Sequence, residues 1–87
     1  MDTKKIKEEI LNPLKEKGFL ILDLKEKTIE GKKILEITID KIEKKERMST
    51  KDCQIASKII EEILDEKQLI NQRYYLVVFS KGIENED

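Results

Sequence analysis

Histidine is absent from this chain of 87 residues. That removes the commonest general base and the commonest metal ligand, and it counts against acid–base catalysis. A single cysteine, Cys53, excludes an internal disulfide and fits a reducing compartment. The first ten residues, MDTKKIKEEI, contain no apolar core of the kind a secretory signal needs. No apolar run approaches membrane-spanning length. There is no internal repeat, linker or low-complexity segment, and neither an RNP-type nor a GXXG motif.

What is present is charge. Asp, Glu, Lys and Arg make up 43% of the chain and hydrophobic residues 38%, with a net charge of −1. Such composition raises the question of disorder, but the apolar residues are patterned, which argues for one small folded domain spanning residues 1–87. The near balance of charge excludes a uniformly basic nucleic-acid binder and leaves room for a local basic patch.

Residues 3–17 read as a helix, with Ile6, Ile10 and Leu14 four apart and Leu11 beside them. Pro13 interrupts it and is expected to kink it, and Gly18 ends it. Residues 19–29 read as a strand in which Leu20, Leu22 and Leu24 form one apolar face. Residues 30–33 form a polar turn, and residues 34–40 a second strand with Leu35, Ile37 and Ile39 inward and Glu36, Thr38 and Asp40 outward. The two strands are expected to pair as an antiparallel hairpin.

After a charged loop at 41–48, Ser49 caps a second helix, with Asp52 completing a capping box. Cys53, Ala56, Ile60, Ile63 and Leu64 mark its buried stripe, and it ends near Asp65 and Glu66. A third strand at 74–80 is apolar on both faces, which predicts a central or doubly covered position. The last four residues, Glu84 to Asp87, read as a frayed end. The fold class is α+β: a two-layer α-β-β-α-β domain with two helices packed on one face of a three-stranded sheet.

Candidate chemistry is sparse. Cys53, inside the helical stripe, reads as a small core residue rather than a reactive thiol. Asp23, Asp40 and Asp65 are too far apart in sequence for a recognisable ligand spacing. Tyr74, Tyr75 and Phe79 offer a base-stacking platform, with Tyr75, Val77 and Phe79 on one strand face, although such a stripe more often belongs to a core. Lys41, Lys44, Lys45 and Arg47 are candidate contacts to RNA phosphate. Lys32 and Lys33 in the hairpin turn extend that patch if the two loops meet. Interleaved Glu43 and Glu46 weaken its field, and a solvated loop is the plainer reading. From the residues alone, a ribosome- or RNA-associated module and a protein-interaction domain both stand, with an enzyme weakest.

Pro13 and the Gly18-Phe19 pair lead into the hairpin, and Ile39-Asp40 ends the second strand. Ser49, Asp52-Cys53, Ser57 and Leu64-Asp65 mark the second helix. Tyr74, Leu76, Val78, Ser80 and Gly82 make a Tyr-x-Leu-x-Val-x-Ser-x-Gly run. This order of small motifs resembles the N-terminal domain of the RimP family of ribosome maturation factors. Departures are Val77 where an acid is usual, Phe79-Ser80-Lys81-Gly82 where Ser-Ser-Pro-Gly is usual, and Asn85-Glu86 where Arg-Pro is usual. The resemblance implies an α-β-β-α-β domain followed by a small Sm/SH3-like barrel, which these 87 residues do not include. It implies a cytoplasmic, non-catalytic assembly factor without cofactor, metal or small-molecule substrate. Its partner would be the immature 30S subunit, through ribosomal protein S12 and 16S rRNA. The alternative is a stand-alone protein-interaction domain without ribosome binding.

Overall fold

A computed structural model describes residues 2–43 and 48–80. The chain runs α1 (Thr3–Glu16), β1 (Phe19–Ile29), β2 (Lys32–Lys41), α2 (Thr50–Glu66) and β3 (Tyr75–Ser80). The strands form one sheet in the order β1-β2-β3, with β1 antiparallel and β3 parallel to β2. α1 lies against β1 and α2 against β3, and the helices pack on each other. The two-layer α+β arrangement is therefore as the sequence implies. The frayed-end reading of residues 84–87 falls outside the described residues.

Local chemistry sets each boundary. The Asp2 carboxylate accepts from the Lys5 amide at 3.1 Å and starts α1. The helix runs through Pro13 to Glu16, and Gly18 at φ +90° turns the chain into β1. That dihedral is one a side chain resists. The hairpin turn is tighter than expected. Only Glu30 and Gly31 connect the strands, both at positive φ (52° and 78°), the geometry of a type I′ turn. Lys32 and Lys33 belong to β2 instead.

The capping box at α2 is present: Ser49 Oγ accepts from the Asp52 amide at 3.1 Å, and Asp52 Oδ2 accepts from the Ser49 amide at 2.9 Å. Met48 precedes the cap and is buried. With Cys53 at the fourth helical position it occupies the sites of a hydrophobic staple.

The core joins Ile6, Ile10 and Leu14 of α1, Leu35, Ile37 and Ile39 of β2, and Ala56, Ile60 and Leu64 of α2. Phe19 and Met48 complete it. Three expectations need correction. Leu11 is exposed, because the α1 stripe facing the sheet is only one residue wide per turn.

β1 carries a register shift between Ile21 and Asp23. Ile21 pairs with Ile39 and Leu24 with Ile37, so Leu22 is the extra residue of a bulge and is 45% exposed. The bulge moves the inward set from Phe19 and Ile21 to Leu24, in place of a Leu20-Leu22-Leu24 face. The third correction is β3, which lies at an edge of the sheet while β2 is central. Its apolar outer face is left half open rather than covered.

Candidate functional site

Alternation along β2 sorts the candidate lysines onto different surfaces. Leu35, Ile37 and Ile39 face the helices, so Lys33 and Lys41 share their side, at the two ends of the strand. Both are paired. Lys33 Nζ lies 3.1 Å from Glu26, and Lys41 Nζ 3.3 Å from Asp52 Oδ2. Asp52 therefore receives the Ser49 amide, the Ser49 hydroxyl at 3.0 Å and the Lys41 ammonium. The Ser49 amide is the largest cause holding its carboxyl below the ordinary aspartate range, and Lys41 adds to it.

Lys32 points to the opposite, helix-free face, with its ammonium 5.8 Å from the Tyr75 ring centroid. It is roughly 30 Å along the strand from Lys41. The two loops therefore do not bring Lys32, Lys33 and Lys41 into one patch. Lys44, Lys45 and Arg47 lie outside the described residues.

The helix-free face is the surface that sequence reasoning undervalued. Register places Tyr75, Val77 and Phe79 of β3 beside Ile34, Glu36 and Thr38 of β2. Tyr75 is 47% and Phe79 40% exposed, so this stripe is not core. Tyr74, Leu76 and Val78 pack against the core instead. The signal was the acid-and-threonine alternation of the neighbouring strand, Glu36 and Thr38, which marks the face that stays wet. Beside it, Glu36 receives Lys27 at 3.2 Å and Lys25 at 4.0 Å, so the β1 side of this face is charged and the β3 side aromatic.

The remaining candidates stay apart. Asp23 and Asp40 lie on the helix-free face at different rungs, and Asp65 is exposed at the end of α2. Cys53 is half-buried, and burial, followed by the Asp52 charge, pushes its thiol up, the reverse of nucleophile activation. Among the described residues no group of three His, Cys, Asp or Glu side chains is arranged to hold a metal ion. No described helix is long and apolar enough to cross a membrane.

A family profile described as the RimP N-terminal domain matches residues 9–84. The chain belongs to this family. The match covers both helices and all three strands apart from the first turns of α1. It makes the chain a domain of the ribosome maturation factor class, associated with the small ribosomal subunit.

Proposed function

We propose that residues 1–87 form one non-catalytic, cytoplasmic domain that assists maturation of the small ribosomal subunit. It binds the immature 30S particle near ribosomal protein S12 and 16S rRNA. The observation that carries this reading is the family match over residues 9–84. Support for a binding role comes from the lack of histidine, the raised Cys53 thiol and the half-open aromatic strand. The domain acts as a compact wedge that holds rRNA and protein in a productive arrangement and then leaves.

Lys32, Lys44, Lys45 and Arg47 supply the electrostatic attraction in this reading. Lys33 and Lys41 contribute less, because each already has a carboxylate partner. The test is sedimentation of the 87-residue chain with purified 30S particles at low and moderate salt. Co-sedimentation that fades as salt rises is expected, since phosphate contacts release counterions. Charge reversal at Lys44, Lys45 and Arg47 should weaken binding and flatten the salt dependence. Unchanged binding would remove the electrostatic half of the reading. A second reading, a protein-interaction domain without ribosome binding, is favoured by the aromatic edge strand. Binding to isolated S12 but not to 30S particles would select it.

A further inference from the structure

The two edges of the sheet differ in how they are protected. β1 is a long edge that carries Asp23, Lys25 and Lys27 and is broken by the bulge at Leu22. Charges and bulges are the usual means of stopping another strand from pairing. β3 has none of them. Its six residues, YLVVFS, contain no charge, no proline and no register shift against β2. Among the described residues no strand pairs with its outer side. Alternate residues of such an edge turn their N–H and C=O groups outward, ready to bond an added strand.

A groove runs beside this edge. It has a volume of about 460 Å³ and lies between α2 and β3, with Cys53, Ser57 and Glu61 on the helix side and Val78 on the strand side. The helix positions are four apart and therefore stack along one flank of α2. Two of the three carry small side chains, which leaves room for the side chains of an incoming strand. On the sheet's other face, Tyr75 and Phe79 flank the same edge with exposed rings.

We propose that the outer edge of β3 and this groove dock an extended basic segment of a protein of the small subunit, added to the sheet as a fourth strand. The proposal rests on the ribosome-maturation reading for the source of the segment. Alternate residues of the segment enter the groove beside Val78, and small apolar side chains suit it. The others lie beside Tyr75 and Phe79; Lys32 already covers the Tyr75 ring, so the exposed Phe79 ring is the one left to receive an aliphatic stem or a cation.

Charge favours a basic peptide over RNA. Glu61 lines the groove, and Glu61 and Asp65 both act on the Tyr74 hydroxyl at the start of β3. These carboxylates attract Lys or Arg and repel phosphate. Lys58 also lines the groove, but Glu62, one helical turn on and beside it in the neighbouring hollow, offsets its field, which leaves Glu61 and Asp65 to set the sign near Tyr74.

The test is a nuclear magnetic resonance titration of the 87-residue chain with an alternating hexapeptide, acetyl-VKVKVK-amide, and separately with octauridylate. The peptide should give saturable shifts in Leu76 to Ser80 and in Cys53 to Glu61, and slow amide exchange in β3. Ser57→Phe fills the groove and should weaken the peptide by about tenfold or more, whereas Ser57→Ala should not. Gln54→Trp, at an exposed position lining the same groove, blocks it without touching the core.

Absence of saturable shifts in β3 and α2, or equal binding after both blocks, overturns the proposal. Shifts at Tyr75 and Phe79 with octauridylate alone overturn it in favour of RNA. Sedimentation with 30S particles separates the two readings. Equal binding of wild type and Ser57→Phe to the particle overturns the docking site and leaves the ribosome reading standing. Peptide binding sensitive to Ser57→Phe, in a chain that fails to bind 30S, supports the docking site and removes the ribosome as its source.

Discussion

Odd-numbered positions of β2 (Lys33, Leu35, Ile37, Ile39 and Lys41) face the helices. Even-numbered positions (Lys32, Ile34, Glu36, Thr38 and Asp40) face away. The first set places three aliphatic side chains at zero exposure between two lysines, each neutralised by a carboxylate from a neighbouring element. The second set is half-buried at most, holds an ion cluster at Glu36, and meets the exposed rings of β3. Alternation alone makes the two sets look like a core and a solvent face. The difference teaches something narrower. Stability is concentrated in three central positions of one face, and the ends of that face are closed by ion pairs. The opposite face, freed from holding the fold together, is where partner contact costs the domain least.

The largest expected effect breaks the covered face. Ile37→Ala leaves a cavity on the central strand and should destabilise the domain by about 3 kcal/mol. Thr38→Ala, one residue away on the open face, should cost less than about 1 kcal/mol. Urea unfolding of both variants reads the contrast directly. Similar midpoints for the two would mean that the faces do not differ energetically.

A smaller effect sharpens the comparison where the covered face ends. Asp52 joins the α2 cap to Lys41, and its folded pKa lies below the ordinary aspartate value of 3.8. A depressed carboxylate contributes stability that is complete above the unfolded pKa. That contribution is lost as pH falls through the unfolded value toward the folded one. The wild-type midpoint should therefore decline as the medium is acidified from about pH 5 downward. Asp52→Asn should start lower at neutral pH and lose part of that acid dependence. Removing the cap oxygen altogether with Ser49→Ala should cost about 1 kcal/mol. A wild-type and Asp52→Asn pair whose midpoints fall in parallel with acid would show that Asp52 carries none of the linkage.

Features that depend on neighbours along the chain are legible in the sequence itself. The α1 stripe, the hairpin, the Ser49–Asp52 capping box and the alternation of β2 each follow from spacing that backbone geometry makes periodic. Features that depend on which surface covers which are not. An apolar strand such as YYLVVFS reads as central, because side-chain hydrophobicity says nothing about whether a further strand lies beside it. Met48 reads as part of a charged loop, because its burial comes from the helix cap it precedes. Lys33 and Lys41 read as candidate phosphate contacts, because Glu26 and Asp52 reach them only after the hairpin closes and α2 docks. Of the candidate site, the family motifs were visible. The β3 edge and its groove with α2 were not, since both arise from strand order.

The smallest expected effect concerns β1, where the rule of alternation fails once. Leu20, Leu22 and Leu24 look like one apolar face, and on that pattern Leu22→Lys would bury a charge and unfold so small a domain. The bulge gives a different outcome. Ile21 and Leu24 pair with Ile39 and Ile37, so the two-residue period slips by one and Leu22 is left 45% exposed outside the ladder. A lysine there keeps its ammonium in water. It adds a charge to an edge strand already defended by Asp23, Lys25 and Lys27. Leu22→Lys should therefore shift stability by no more than about 0.5 kcal/mol, as for other surface substitutions. A loss of several times that amount in urea unfolding would place Leu22 in the core. The inward phase of β1 would then run through Leu20 and Leu22, and the pairing of Ile21 with Ile39 could not hold.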